Sequence, residues 1–383
     1  RSERAALLHQ KLYLPLITQV LSHELPKYKP TSRIMPQSYP ALLRTCIQIL
    51  ASSSPVFHAA VDGTLSRRLL SDSTLQNEYN VIKQQAHVQP SIYIHELVDE
   101  NGVPPSPAQY MRIRDEVLRY IDAVEDAENK GNAWEVDNMT SPKVAKSASK
   151  TGYRKYLRST RRSRSSTHVS TLSKLCAGIS RRCSPSSLSS AKEHTKPLRF
   201  PPTECGYSCN ALIRLAQHRS RVSSNYAMNL VEDICSHLFA TKEFTQRFTM
   251  HGHIIYLIYR EEQAAVAEIL CSGLLCVWIE DGGGFNAYPA GRSVASARRV
   301  DAKAWAEFEK WAEENSDVVS NFSMLKGRVE KDIRDIGDDV GEAWREALED
   351  SEDEGDPEDG DYVEVSEESD EDLGGRMSWL RIC

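Results

Sequence analysis

Residues with guanidinium, imidazole, carboxylate and amide side chains recur at close intervals in the second half of the chain. Arg214 and His218 stand four positions apart, which places them on one face of any helix they share. Glu268 and Asn286 follow, the latter just after the run Gly282–Gly284. Phosphodiester cleavage needs an activated water, neutralised charge on the phosphate and help for the leaving oxygen. These four residue types can supply those functions, and a planar guanidinium is well shaped for phosphate oxygens.

Each of these residues also has an ordinary interpretation when it is taken alone. Arg214 is then a surface residue of an amphipathic helix, and His218 a helix-end residue favoured by the negative pole of the helix dipole. Glu268 is a solvated helix residue, as most isolated glutamates are. The glycine run is a plain turn, because no Lys-Ser/Thr follows it as in a phosphate-cradling loop. Their joint occurrence is what favours a shared polar site.

The elements that must position these residues alternate between strands and helices. Runs rich in Ile, Tyr and Val predict strands, and apolar stripes at helical spacing predict helices. The predicted strands are Ser91–Val98, Glu204–Ser208 and His253–Tyr259, the last expected to lie centrally in a sheet because it is almost continuously apolar. The predicted helices cover residues 5–24, 40–52, 106–130, 211–217, 225–239 and 261–274.

The block from Glu204 to Arg299 resembles a GIY-YIG nuclease domain. In that family a first strand bears Gly-Ile-Tyr and a second bears Tyr-Ile-Gly. A helix then carries Arg followed four residues later by His, a later helix supplies a metal-binding Glu, and a final turn supplies an Asn. The segments that are similar to these motifs, in order, are SIY with Tyr93, GYSCNALIRLAQH, AAVAEIL and GGGFNAY. The combined pattern is typical of a fungal-type group of such domains.

The resemblance implies an α+β fold, an α/β sandwich in which a small, mainly antiparallel three-stranded sheet is flanked by helices. More than a hundred residues then separate two neighbouring strands, which is tolerable because the entropy of loop closure grows slowly with length. The implied organisation is a helical region at 1–85, the first strand and helix of the domain at 86–137, a basic disordered insertion at 138–195, the main core at 196–325 and an acidic disordered tail at 326–383.

The resemblance also implies residue roles. Tyr93 would activate the water, Arg214 would hold the phosphoryl group, His218 would assist, Asn286 would orient, and Glu268 would bind Mg²⁺. The chain departs from the family where Glu204 stands in place of the tyrosine of the second strand. A glutamate there would bring negative charge close to the scissile phosphate. Tyr207 is a second candidate replacement, but strand alternation points it to the opposite face.

Two segments of opposite charge flank the main core. Asn138–Lys192 has thirteen Lys/Arg and no acidic residue, and its low apolar content predicts mostly disorder. It is either a solvated linker or a contact for nucleic acid or nuclear import. Glu346–Asp372 has sixteen acidic residues and no basic one, which predicts a disordered tail that protein partners could recognise.

The bulk composition narrows the class of protein. No stretch approaches the roughly 20 apolar residues that a membrane span needs, so no membrane association is expected. Nine scattered cysteines indicate reduced thiols in an intracellular protein, and the basic segment makes the nucleus one location to consider.

Two functions stay open on the sequence. The first is a domain that binds DNA or RNA and cleaves phosphodiester bonds with Mg²⁺. The second is a catalytically inactive interaction module that keeps the fold without nuclease activity.

Overall fold

The structure is a computed structural model, and it describes residues 1–28, 39–122, 127–158, 164–184, 191–222 and 224–326. Within these ranges the protein is a mixed α and β structure, as predicted, with many helices around one three-stranded sheet.

The sheet is antiparallel and its strand order is β2-β1-β3, formed by β1 (Ser91–Val98), β2 (Thr203–Ser208) and β3 (Thr249–Leu257). β1 and β2 are neighbours despite the long segment between them, as the resemblance implies. The prediction of a central position for residues 253–259 is wrong, because β3 lies at one edge and β1 lies in the middle. Every residue of β1 is buried, since both of its edges and both of its faces are covered.

Helices surround this sheet on both faces. In chain order they are α1 (Ser2–His9), α2 (Tyr13–Glu24), α3 (Tyr39–Ala51), α4 (Pro55–Val61), α5 (Leu65–Ser71), α6 (Ser73–Gln85), α7 (Pro107–Asp122), α8 (Ala127–Asp137), α9 (Lys146–Lys150), α10 (Ser166–Arg182), α11 (Ala211–Arg219), α12 (Tyr226–Ala240), α13 (Gln263–Leu275) and α14 (Ala302–Asn315). The helix predicted over 5–24 is two helices, since Lys11 between them has a left-handed φ of 54°. That conformation is incompatible with a continuous right-handed helix.

Two apolar cores pack against the sheet. One core joins the N-terminal helices to α13 and to the β1 face that carries Ile92 and Ile94. The other joins α7, α10 and α12 to Leu97 of the same strand. Residues 1–85 therefore share a core with the sheet, because their buried side chains pack directly on α13 and β3.

The structure corrects the prediction of disorder for the basic segment at 138–195. This segment contains the 17-residue helix α10, which buries Leu172, Leu175, Cys176 and Ile179 and packs on α7 and on the turn at Ile279–Asp281. Its apolar residues are few but fall at helical spacing, so one narrow stripe is enough to dock the helix. Among the described residues of this segment, disorder is therefore not the rule.

Several arginines of this segment make contacts within the protein. Arg181 donates to the carbonyl of Glu280, and Arg182 donates to that of Gly282 at 2.8 Å. Gly178 lies so close to the same turn that a Cβ would stand 2.1 Å from the Ile279 carbonyl oxygen. The end of α10 therefore clamps the turn that leads to Asn286.

Other predictions concern the tail, the membrane and the thiols. The predicted acidic tail lies outside the described residues, apart from residue 326. No helix in the described part of the chain is long and apolar enough to cross a membrane. The eight cysteines in that part are free thiols, as predicted, and most of them are buried.

Candidate active site

A cleft of about 650 Å³ opens beside the edge strand β2, and its lining brings together residues from distant parts of the chain. Tyr93 of β1, Arg214 of α11, Glu268 of α13 and Asn286 after the glycine turn all border it. His218 lies behind the wall, against the Tyr93 ring. All five predicted site residues therefore converge. They converge because β2 lies at the edge of the sheet, so side chains from both faces reach the same opening.

Helix α11 carries the arginine and the histidine. Asn210 caps its first turn by accepting the N–H of Ile213. The four-residue spacing then directs both Arg214 and His218 onto Tyr93. The Tyr93 hydroxyl accepts from Nε of Arg214 at 3.4 Å and lies 3.3 Å from Nε2 of His218. Arg214 also donates through Nη1 to Gln217, and its Nη2 has no hydrogen-bond partner among the described residues.

Tyr93 lies flat over β2 because its partner across the strands is Gly206. A Cβ on Gly206 would stand 2.6 Å from the tyrosine hydroxyl and 2.7 Å from Cζ, closer than atoms can approach. A bulge in the β1–β3 pairing falls between Ile92 and Tyr93. Bulges change the direction of side chains next to them, and this one stands just before the residue in the cleft wall. Burial and then the Glu204 carboxylate raise the pKa of Tyr93 well above that of a free phenol.

Glu204 occupies the position of the tyrosine that the family would place on β2. Its carboxylate lies 2.8 Å from Nδ1 of His95, the residue opposite it on β1, and 3.9 Å from Nδ1 of His218. Burial disfavours the charged carboxylate, but the hydrogen bond from His95 and the electrostatic attraction of His95, His218 and Arg214 together outweigh this, and the pKa of Glu204 lies below its ordinary value. Burial lowers the pKa of His218 to about 4. The Glu204 carboxylate therefore faces the imidazole rings of His95 and His218.

Glu268 enters the cleft from α13, on the opposite face of the sheet from α11. One carboxylate oxygen accepts the backbone N–H of Gly291 at 2.9 Å. Burial raises its pKa to about 7, and the charge of Glu204 acts in the same direction. The side chain is half-buried rather than solvated, which excludes the ordinary interpretation of an exposed helix glutamate.

Asn286 has a structural task in this arrangement. Its side-chain oxygen accepts from the N–H of Cys205 at 3.0 Å, and its amide donates to the Cys205 carbonyl at 2.8 Å. The side chain thus pairs with β2 as a neighbouring strand would. The sequence predicts that Asn286 orients groups in the site, but the oxygen and the nitrogen of its side chain are both already hydrogen-bonded to Cys205.

Tyr207 stands on the β2 face opposite Gly206, as strand alternation predicts, and its hydroxyl lies 3.0 Å from the Cys209 thiol. It nevertheless borders the same cleft, because β2 is an edge strand. Burial raises the pKa of its phenol as well.

Sequence reasoning missed several residues of the site. His95 is two positions after Tyr93 in β1 and so shares its face, a signal that strand periodicity alone could have given. Arg292 and Tyr288 line the outer part of the cleft, and Tyr288 is 58% exposed. They stand in an irregular segment without periodicity, so the sequence offered no comparable signal of their place in the cleft, although Tyr288 ends the segment GGGFNAY.

The cleft thus combines an arginine, a tyrosine hydroxyl and a carboxylate, with an exposed arginine and tyrosine at its rim. These groups can bind a phosphate ester and present a carboxylate to a cation. No protein-family profile, curated protein or solved structure matches this chain.

Proposed function

We propose that this protein binds nucleic acid in the cleft beside β2 and hydrolyses a phosphodiester bond there with a divalent cation. The observation that carries the proposal is the meeting of Tyr93, Arg214 and Glu268, which come from three elements far apart in the chain. Their order and residue types follow the pattern of GIY-YIG nucleases, to which the same segments are similar in sequence.

Arg214 is the residue that holds the phosphate. Its Nε donates to the Tyr93 hydroxyl, which fixes the plane of the guanidinium against the cleft wall. Because Nε donates to Tyr93 and Nη1 donates to Gln217, Nη2 is the nitrogen that has no partner among the described residues and can donate to a phosphate oxygen. A fixed arginine close to the phosphorus stabilises the charge that develops on the oxygens in the transition state.

Tyr93 positions the attacking water. Its hydroxyl is held between Arg214 and His218, and it stands in the wall of the cleft. Water attacks phosphorus, the ester P–O bond breaks, and the proton of the water ends on the leaving oxygen or on solvent. The products are a phosphate monoester and a hydroxyl.

Glu268 fits the single protein ligand of a Mg²⁺ ion. Its carboxylate borders the cleft and is fixed through one oxygen by the Gly291 N–H. Mg²⁺ is bound in many phosphoryl-transfer sites by one or two carboxylates plus phosphate oxygens and waters. When bound, the cation would neutralise phosphate charge and make the water more acidic.

The outer cleft favours a nucleic acid over a small phosphodiester. Arg292 is exposed there and can contact a neighbouring phosphate, while the exposed Tyr288 ring can stack on a base. The basic segment gives less support than its composition suggests, because Arg181 and Arg182 are bonded within the protein.

A second function is favoured by a specific observation, the placement of Glu204 and Asn286. A carboxylate stands where the family has a tyrosine, and both polar atoms of the Asn286 side chain are hydrogen-bonded to the backbone of Cys205. A module that binds a partner through the same cleft without cleaving it would keep both features.

The test is a cleavage assay of the full chain on supercoiled, linear, single-stranded and RNA substrates with Mg²⁺ or Mn²⁺. Wild type should cleave at least one form, and Arg214→Ala and Glu268→Gln should each reduce the rate about 100-fold or more. Arg219→Ala and Glu261→Gln are matched controls, since both residues are exposed and neither lines the cleft.

Binding is measured in parallel, because it separates the two functions. The logarithm of the association constant should fall steeply with the logarithm of salt concentration if phosphates are contacted. If wild type and the variants bind nucleic acid but none of them cleaves it, the hydrolytic proposal is overturned and the interaction module remains. A flat salt response together with no cleavage would remove nucleic acid as the ligand.

A further inference from the structure

His95, Glu204 and His218 form a buried cluster beneath the cleft, which we call the histidine–glutamate cluster. One nitrogen or oxygen atom from each of the three lies within 4.8 Å of the others. The two histidines are 2% and 4% exposed, and Glu204 alone borders the cleft. The roles proposed above use the cluster at one point only, the contact between His218 Nε2 and the Tyr93 hydroxyl.

The hydrogen bonding of the cluster is incomplete. His95 Nδ1 contacts the Glu204 carboxylate, and His218 Nε2 contacts the Tyr93 hydroxyl. Nδ1 of His218 and Nε2 of His95 are buried and have no hydrogen-bond partner within the part of the chain that the structure describes. Buried polar atoms are normally satisfied, so each exception requires an explanation. A plain ion pair between His95 and Glu204 leaves the unpaired Nδ1 of His218, directed at the same carboxylate, unexplained.

We propose that the histidine–glutamate cluster binds one transition-metal ion of the Zn²⁺ type through His95 Nδ1, Glu204 and His218 Nδ1. In tetrahedral sites with bonds of about 2.0–2.1 Å, ligand atoms stand about 3.3 Å apart. The present separations of 2.8 Å and 3.9 Å from the Glu204 oxygen lie on either side of that value. An ion would replace the proton between His95 and Glu204 and give the unpaired His218 nitrogen a partner.

The ligand types decide the class of cation. Imidazole suits zinc and its neighbours in the first transition row, whereas Mg²⁺ prefers oxygen ligands throughout. Two histidines and one glutamate form a known zinc ligand set that leaves a fourth position open. Because Glu204 borders the cleft, water from the cleft can reach this side of the cluster. The cluster is thus chemically distinct from the carboxylate of Glu268.

The neighbourhood of the cluster supports this choice of atoms. Nε2 of His95 faces Gly252 of β3, where a Cβ would stand 3.1 Å away, so no ligand fits on that side. The nitrogen of His95 left for a metal is therefore Nδ1. Metal on Nδ1 of His218 would make Nε2 the protonated nitrogen, which then donates to the Tyr93 hydroxyl. The metal would thereby fix the tautomer of a residue that touches the cleft wall.

This inference does not depend on the proposed hydrolysis, and its test needs no activity. The full chain is stripped with a chelator, loaded with Zn²⁺ or Co²⁺, desalted, and its metal content is measured. We expect about one ion per chain in wild type, and loss of at least 90% of it in Glu204→Gln and His95→Gln. His237→Gln is the matched control, since His237 is buried outside the cluster and should leave the stoichiometry unchanged.

The cobalt spectrum separates this site from a thiolate site. Nitrogen and oxygen ligands give visible d–d bands without the sulfur-to-cobalt charge-transfer band that Cys205 or Cys209 would add. Thermal unfolding in chelator controls for folding, because Glu204→Gln and wild type should then melt within a few degrees of each other. Fewer than about 0.1 ions per loaded wild-type chain, a thiolate band, or unchanged metal content in Glu204→Gln would each overturn the proposal.

Discussion

The ring of Tyr93 occupies the space that a side chain at Gly206 would need. A Cβ there would lie 2.6 Å from the Tyr93 hydroxyl, so the glycine determines how close the tyrosine lies to β2. The two residues face each other across the strand pair although they are separated by the whole α7–α10 segment. The position of the hydroxyl in the cleft thus depends on a residue with no functional group.

Gly206→Ala should displace Tyr93 and reduce cleavage by about 100-fold, because an error of about 1 Å in a reacting group costs that much. Overpacking should also lower the free energy of unfolding by about 1–3 kcal/mol. Cleavage rates and urea unfolding measure the two effects. Tyr93→Phe is the comparison, since it keeps the ring and removes only the hydroxyl. A Gly206→Ala protein with wild-type cleavage would contradict the proposed placement of Tyr93.

Asn286→Ala should lower the free energy of unfolding by about 1–3 kcal/mol, because it leaves the N–H and carbonyl of Cys205 unpaired. Urea unfolding measures this. Asn315→Ala is the control, since that amide bonds one carbonyl at an exposed helix end and should change stability by under about 0.5 kcal/mol. If Asn286→Ala keeps full stability but loses cleavage, then the amide acts on the substrate rather than on β2.

Gly178→Ala should destabilise the protein by about 2–4 kcal/mol and impair the cleft, since α10 could no longer contact the turn at Ile279–Asp281. Gly131 in α8 is the matched helical glycine, because a Cβ there has no neighbour within 4 Å. Gly131→Ala should be neutral or stabilising by up to about 1 kcal/mol. Thermal unfolding compares the two. Equal effects would mean that α10 does not clamp the turn.

Asp137 makes stability depend on pH. Its carboxylate accepts from the Tyr120 hydroxyl at 2.5 Å and from the Lys155 N–H, and burial raises its pKa from 3.8 to about 6. The folded state therefore holds the proton more tightly than the unfolded state. The stabilisation is complete below about pH 4 and is lost as the pH rises through about 6, by an amount on the order of 3 kcal/mol.

Asp137→Asn should remove that dependence. The variant is expected to be at least as stable as wild type at about pH 8 and to match it near pH 4, since an amide can keep both accepted hydrogen bonds. Urea unfolding across this range is the measurement. Asp115→Asn, at the surface beside Arg114, should follow the wild-type curve. If the free energy of unfolding of Asp137→Asn changes with pH in the same way as that of wild type, then the Asp137 pKa is not raised in the folded state.

The sequence predicted those features of the site that depend on spacing within one helix and missed those that depend on the pairing of distant strands. Arg214 and His218 were predictable because four-residue spacing fixes their face whatever surrounds the helix. The bond between His95 and Glu204 was not, because it joins residues 109 positions apart whose register only the folded sheet determines. The basic segment was misjudged since its average composition hides the stripe of α10. The position of β1 in the middle of the sheet likewise depends on two distant pairings.

That position has a consequence for synthesis of the chain. β1 is apolar along most of its length, and β3 ends about 160 residues after it. At about 5–20 residues per second, the ribosome needs roughly 8–30 s to deliver the last strand that covers it. During that interval β1 has no edge partner from β3, which makes it a natural binding segment for chaperones that recognise extended apolar peptides. The nascent protein should therefore depend on such chaperones more than its modest sheet suggests.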